Sequence, residues 1–132
     1  MNKLTGADTL VENKLFATLD STVRKVKKNF PYPVLLSDTV GLINKLPHDL
    51  VASFKSTLDE VRDADLLIHV VDISHPEYKN QMQTTDDLLI QMEMDAIDVV
   101  LVFNKTDSIE DIEELDRAQE NFPSAISISC KK

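Results

Sequence analysis

Residues 98–107 read Asp98-Val99-Val100-Leu101-Val102-Phe103-Asn104-Lys105-Thr106-Asp107. The segment from Asp98 to Phe103 is a short, nearly continuous apolar run, which is typical of a central strand in a sheet covered on both faces. The four residues that follow it are polar. This abrupt change predicts a buried strand that ends in a loop able to carry chemistry.

Three further apolar runs predict the other strands of the sheet: Val34–Ser37, Asp65–Val71 and the weaker, alternating Ala125–Ser129. Apolar residues at helical spacing predict helices over Leu50–Val61, Tyr78–Met92 and Glu110–Phe122. Strands that alternate with helices indicate an α/β fold with a mostly parallel sheet between helices. We predict one domain over residues 1–132.

Polar residues follow each predicted strand, and in such sheets ligands bind outside the carboxyl ends of the strands. The segments at this edge are Asp38-Thr39-Val40-Gly41, Asp72-Ile73-Ser74, Asn104-Lys105-Thr106-Asp107 and Ser129-Cys130-Lys131. The functional site is therefore expected along one edge of the sheet, in the loops after the strands.

The tetrapeptide Asn104-Lys105-Thr106-Asp107 has the N-K-x-D form with which GTP-binding proteins recognise guanine. The Asp107 carboxylate can accept hydrogen bonds from guanine N1–H and from its exocyclic amine, whereas adenine would leave the charge unpaired. Asn104 can meet the acceptor edge of the base, and the aliphatic stem of Lys105 can cover the ring. The alternative interpretation is an exposed polar turn after a strand.

Two segments are candidates for magnesium and the γ-phosphate. Asp38-Thr39-Val40-Gly41 has the form D-x-x-G, in which Asp38 would hold Mg²⁺ and the Gly41 backbone N–H would approach the phosphate. Phe16-Ala17-Thr18-Leu19-Asp20 precedes Asp38 by about 20 positions, where a G domain has its first switch. Thr18 is the predicted second ligand of the metal, and Thr22 is the alternative.

Ser129-Cys130-Lys131 follows the last predicted strand, where a short loop would support guanine through backbone N–H groups. Cys130 is interpreted as a packing residue, since no His or Asn constellation suggests thiol catalysis. Among the histidines, His69 is predicted to be a satisfied core residue, His75 to lie in a turn, and His48 to be exposed.

The composition narrows the functional classes. The formal net charge of −9 argues against direct binding of duplex DNA, and one cysteine excludes an internal disulfide. The sequence contains no secretory signal and no apolar run of about 20 residues, so we expect a cytoplasmic protein without a membrane span. The only glycines, Gly6 and Gly41, lie 35 positions apart, so neither a Walker A loop nor a G-x-G-x-x-G loop can be built.

Together, five segments resemble the G domain of HflX-type GTPases: Asn13–Asp20, Asp38–Gly41, Lys45–His48, Ala64–Asp72 and Asn104–Asp107. The resemblance covers nearly the whole chain. It implies a P-loop NTPase-like G domain that binds GTP or GDP with Mg²⁺, hydrolyses GTP slowly, and associates with the large ribosomal subunit. Its guanine motifs are Asn104–Asp107 and Ser129–Lys131.

The resemblance also implies that parts of the G domain are missing. Met1–Ala7 matches the end of the helix after the phosphate-binding loop, so the first strand, that loop, the N-terminal domain and the closing helix are expected to be absent. Leu42 stands where many small GTPases have a water-positioning Gln, so the ribosome is expected to complete the catalytic arrangement.

Without a phosphate-binding loop, we expect this polypeptide alone to bind nucleotide no better than roughly millimolar and to be inactive. Exposed apolar surface beside a missing strand is expected to make it fold poorly or associate. Two alternatives remain: a non-catalytic pseudo-GTPase interaction module, and an unrelated α/β domain such as a phosphoacceptor regulator.

Overall fold

The computed structural model describes residues 22–27, 30–38, 61–109 and 111–130. The chain divides into two compact units. Unit 1 comprises Met1–Leu42 with Leu46–Asp63, and unit 2 comprises Ile43–Lys45 with Ala64–Lys132. One domain over residues 1–132 stays a prediction.

Unit 1 contains an antiparallel hairpin of β1, Thr22–Lys25, and β2, Leu35–Asp38. Its register pairs Thr22 with Asp38, and beyond the last pair the Val26 N–H donates to the Val34 carbonyl (2.9 Å). Strand β1 has no counterpart among the predicted elements because Thr-Val-Arg-Lys carries only one apolar residue and therefore gives no clear alternation.

Unit 2 alternates strands and helices in the predicted order. The elements are β3 (Leu67–Asp72), α1 (Tyr78–Gln91), β4 (Val99–Asn104), a 3₁₀ turn (Thr106–Ser108), α2 (Ile112–Asn121) and β5 (Ile126–Ser127). Both pairings in the sheet β3-β4-β5 are parallel. The α/β class and the parallel sheet are thus confirmed.

Strands β2, β3 and β4 each end one residue beyond the predicted limit, while β5 is shorter than predicted. The predicted helices after β3 and β4 correspond to α1 and α2. The predicted helix Leu50–Val61 lies outside the described residues except for Val61, which is helical together with Arg62.

The ends of α1 and α2 satisfy backbone groups that a helix leaves unpaired. At the end of α1, the Glu93 N–H donates to the Ile90 carbonyl (3.0 Å) and the Met94 N–H to the Leu89 carbonyl (2.9 Å). With Glu93 at a φ of 58°, this is a Schellman motif. Asp111 caps α2 by accepting from the Glu113 N–H (3.0 Å).

The core of unit 2 lies between one face of the sheet and the two helices. Its buried members come from strands, helices and loops: Val71, Ile73, Tyr78, Met82, Phe103, Ala118 and Ala125. The Phe103 ring is fully buried and makes edge-to-face contacts with Tyr78 (6.5 Å between centroids) and Phe122 (6.1 Å). Such contacts add to the free energy of burial and fix the ring orientation.

The opposite face of this sheet is covered only in part. Ile68, Val70 and Ile126 have 53%, 57% and 52% of their surface accessible, whereas Val102 on the same face has 7%, so the predicted cover on both faces is incomplete within the described residues. The reason is that α1 and α2 both pack on the face that contains Val71 and Phe103. The sheet order is β3-β4-β5, so the two right-handed β-α-β connections advance in the same direction and place both helices on the same face. In unit 1, Leu35 is also exposed, contrary to the prediction of a buried strand.

His69 is half-buried in β3 on the face that the helices cover, where its register partner is Leu101. Burial lowers the pKa of His69, and the charge of Asp86 opposes this effect. His75 lies exposed in the turn before α1, as predicted, and its Nδ1 accepts from the Glu77 N–H (3.1 Å). His48 lies outside the described residues. No helix in the described part of the chain has the length and apolarity needed to cross a membrane.

Candidate guanine-binding site

Strands β3 and β4 bring two polar segments together at their carboxyl ends. Their parallel register pairs Asp72 with Asn104, and the Ile73 N–H donates to the Asn104 carbonyl (3.2 Å). This backbone bond extends the ladder beyond the last paired residues, so the loops after β3 and β4 begin side by side. The predicted edge of strand-end loops is therefore present in unit 2.

The loop after β4 turns sharply at Lys105, which has a φ of 61°. The left-handed conformation is costly for a residue with a Cβ and persists where neighbouring contacts hold it. Here Asn104 Oδ1 accepts from the Lys105 N–H (2.8 Å), and the Lys105 carbonyl accepts from the Ser108 N–H (2.9 Å). The side chain of Asn104 thus fixes the turn that positions the following residues.

The loop after β5 supports the same turn from the other side. The Ile128 carbonyl accepts from the Thr106 N–H (3.3 Å) and from Thr106 Oγ1 (3.0 Å). The Ile128 N–H in turn donates to the Phe103 carbonyl (2.8 Å), which continues the β4–β5 ladder. Thr106, the variable position of N-K-x-D, therefore ties the loop to the sheet.

Asp107 is exposed, and hydroxyl groups approach both of its carboxylate oxygens. Ser129 Oγ donates to Oδ1 (2.5 Å) and Ser108 Oγ donates to Oδ2 (3.2 Å). Because carboxylate oxygens accept hydrogen bonds from hydroxyl groups, these contacts orient the Asp107 side chain. The structure thus brings Asp107 and Ser129 together from the two predicted guanine segments.

Asp72 and Ser74 lie at the predicted sheet edge, but the sequence analysis gave them no role. In the structure, Asp72 contacts both Ser74 and Lys105. Lys105 Nζ lies 2.6 Å from Asp72 Oδ2, and Ser74 donates to Oδ1 through its hydroxyl (2.6 Å) and its N–H (3.2 Å). Burial alone would raise the pKa of Asp72, but the hydrogen bonds from Lys105 and Ser74 and the lysine charge outweigh it and lower the pKa. The signal in the sequence was the polar residue that directly follows each predicted strand, Asp72 after Asp65–Val71 and Asn104 after Asp98–Phe103.

Of the remaining predicted site residues, the structure describes Asp38 and Cys130. Asp38 ends β2 with an exposed side chain, and Cys130 is exposed after β5, so the interpretation of Cys130 as a packing residue is wrong. The loop at Cys130 follows a two-residue strand whose own side chains are exposed, which leaves little around it to pack against. Phe16–Asp20, Thr39–Gly41 and Lys131 lie outside the described residues.

Comparisons with known proteins identify the family of the chain. Residues 1–105 match the family described as 50S ribosome-binding GTPase. The chain is 56% identical over 109 residues to the GTPase HflX of Flavobacterium psychrophilum and 40% identical over 131 residues to the GTPase HflX of Escherichia coli. These alignments cover 82% and 98% of this chain, respectively.

The chain belongs to the HflX family of GTPases. It spans 26% of the length of the Flavobacterium protein and 31% of the Escherichia protein. The family assignment therefore concerns the matched part of these relatives and not their whole length.

A solved structure of Era in complex with MgGDPNP and a segment of 16S ribosomal RNA has the same fold as this HflX-type chain. The TM-score is 0.64 at 19% identity, and the match covers 97% of this chain and 45% of that chain. At this identity the likeness concerns the fold alone, and it confirms the expected G-domain class.

Proposed function

We propose that the HflX-type protein carrying this sequence binds GTP and GDP, hydrolyses GTP, and acts on the large ribosomal subunit in the cytoplasm. The observation that best supports guanine binding is the anchored loop Asn104–Asp107. Its backbone is tied to β3 and β5, and the Asp107 carboxylate is oriented by Ser129 and Ser108. An ordinary polar turn has no need of a carboxylate held by hydroxyl groups from two segments.

In this proposal, Asp107 accepts from guanine N1–H and the exocyclic amine, Asn104 meets the acceptor edge, and Lys105 covers the ring. Asn104 has a second role, since its Oδ1 already stabilises the left-handed turn at Lys105 (2.8 Å). Backbone N–H groups of the segment Ser129-Cys130-Lys131 would support the base from the loop after β5. Selectivity follows because adenine offers Asp107 no such pair of donors.

Magnesium and phosphate binding are assigned to unit 1. The exposed Asp38 carboxylate at the end of β2 suits Mg²⁺, which favours one or two carboxylates together with phosphate oxygens and water. Thr18 would supply a hydroxyl, and the Gly41 N–H would contact the γ-phosphate. A magnesium ion held by these residues would supply positive charge that offsets the negative charge of the phosphates. Phe16, Ala17, Leu19 and Asp20 flank Thr18, while Thr39 and Val40 separate Asp38 from Gly41.

The decisive experiment changes base selectivity rather than affinity alone. Asp107→Asn replaces a carboxylate oxygen with an amide donor, which opposes the guanine amine and matches the C2 carbonyl of xanthine. In the complete natural polypeptide that carries this sequence, we expect GDP binding to weaken at least about tenfold and xanthosine diphosphate binding to strengthen. Isothermal titration calorimetry measures both affinities.

The matched control is Asp111→Asn, four positions along the chain. Asp111 caps α2, and Asn caps a helix equally well, so both affinities should stay at the wild-type values. Failure of the wild-type protein to prefer GDP over ADP would exclude the proposed function and favour a pseudo-GTPase interaction module. Phosphate release measured with and without large ribosomal subunits then tests hydrolysis and its activator.

A further inference from the structure

The side chain of Asp72 makes two kinds of contact at the end of β3. Its Oδ1 accepts from the Ser74 hydroxyl (2.6 Å) and N–H (3.2 Å), and its Oδ2 lies 2.6 Å from Lys105 Nζ. Ser74 therefore fixes the carboxylate from its own loop, while the second oxygen reaches across to the loop after β4. The parallel register of Asp72 and Asn104 makes this reach possible.

Lys105 is consequently held at both ends of its side chain. At the backbone, the left-handed turn is fixed by Asn104 Oδ1 (2.8 Å), and at the tip the ammonium group is fixed by Asp72. The aliphatic stem between these points spans from the end of β4 to the end of β3. A lysine stem that is free in solution samples many rotamers, and ordering it upon binding carries an entropic cost.

We propose that Asp72, fixed by Ser74, is a positioning residue that holds the Lys105 stem in place for packing against a purine ring. This inference rests on the proposed function, because it deepens the role of Lys105 in the guanine site. Asp72 does not touch the base. It acts by ordering Lys105 before the nucleotide arrives, so that less conformational freedom is lost on binding.

A purely structural role explains the ion pair less well. Half of the Lys105 side chain (54%) and a third of the Asp72 side chain (32%) are accessible to solvent. Exposed pairs of this kind contribute little to folding because water screens them. Moreover, the backbone bonds from Ile73 and Thr106 already hold the two loops at the sheet edge.

The test is Asp72→Asn in the complete natural polypeptide, with the dissociation constant for GDP measured by isothermal titration calorimetry. We expect GDP binding to weaken roughly fivefold, as expected from loss of one partly exposed charge pair. Ser74→Ala keeps the carboxylate but loosens it, so we expect a weakening of about twofold, and this variant serves if Asp72→Asn does not fold.

The matched control is Glu114→Gln. Glu114 also accepts from a hydroxyl, Tyr78 Oη (2.9 Å), and pairs with Lys79 Nζ (3.0 Å) and, more loosely, with Arg117 Nη1 (3.6 Å), in the same unit but away from the site. It should bind GDP like the wild type, and its thermal midpoint should shift about as much as that of Asp72→Asn. A fivefold weakening in Glu114→Gln as well would overturn the inference.

A double-mutant cycle separates positioning from general support. In a Lys105→Met background, the stem remains but has no charge for Asp72 to hold, so Asp72→Asn should change GDP affinity by less than about 1.5-fold. The same fivefold loss in both backgrounds would contradict action through Lys105. An Asp72→Asn variant that binds GDP as tightly as the wild type would also contradict this inference. The proposed function would still stand in that case, provided that the wild type binds GDP selectively.

Discussion

The two faces of the sheet β3-β4-β5 have similar sequences but different surroundings. On one face, Val71 and Phe103 are 4% and 0% exposed beneath α1 and α2. On the other, Ile68 and Val70 remain more than half exposed. The comparison shows that strand hydrophobicity identifies a strand with two apolar faces, whereas the positions of the helices decide which face becomes the core.

The largest expected effect comes from removing the central side chain of the covered face. Phe103→Ala deletes a fully buried ring and its contacts with Tyr78 and Phe122, so we expect unfolding to become easier by about 3–5 kcal/mol. Urea unfolding followed by circular dichroism measures the change. If Phe103→Ala does not fold, Phe103→Leu should show a smaller loss. A loss below about 1 kcal/mol for Phe103→Ala would contradict the described core.

A second prediction applies the same substitution to neighbouring residues on opposite faces of β3. Val71→Thr buries a hydroxyl and should cost about 1–3 kcal/mol of unfolding free energy. Val70→Thr keeps the β-branched shape on the exposed face and should stay within about 0.5 kcal/mol of the wild type. Sedimentation velocity on Val70→Thr also shows whether this face mediates association. Equal losses in the two variants would mean that both faces are covered.

The smallest expected effect is a pH dependence of the unfolding free energy that arises from His69 on the covered face. Burial lowers the pKa of His69 from 6.5, so the folded state disfavours the charged ring. Stability from this group is complete above pH 6.5 and decreases as pH falls from there through the lowered pKa of the folded state. We expect the unfolding free energy of the wild type to fall more steeply over this range than that of His69→Gln. The lowered pKa of Asp72 acts separately, below its ordinary value of 3.8. Parallel profiles would indicate that His69 is fully hydrated.

The sequence predicted β3 and β4 because each is a short, nearly continuous apolar run followed by polar residues. The observed β4, Val99–Asn104, is shifted by one residue from the predicted Asp98–Phe103. Strand β1 was missed because its four residues carry little hydrophobic signal and its pairing with β2 is a tertiary contact. The sequence also could not show which face of β3 the helices cover, because Ile68 on one face and Val71 on the other are both strongly apolar.

For the candidate site, N-K-x-D located the loop, and the strand ends indicated its neighbours. The links of Asp72 with Lys105 and of Ser129 with Asp107 connect residues 33 and 22 positions apart. Such contacts depend on strand register, which the sequence pattern alone does not give. Cys130 was interpreted as a packing residue because no His or Asn constellation suggested thiol catalysis, but the two-residue strand before it is exposed and gives it no cover.

The shortness of β5 also has a consequence for dynamics. Only Ile126 and Ser127 pair with β4, yet the next residue, Ile128, holds Thr106 at the centre of the guanine loop. Short, solvent-accessible strands are among the first segments to open in native proteins. Local opening of β5 would release Thr106 and Asp107 together while β3 and β4 stay paired. Hydrogen exchange at the Thr106 and Ile128 amides should therefore report one shared opening event, and a bound base that bridges the two loops should slow both.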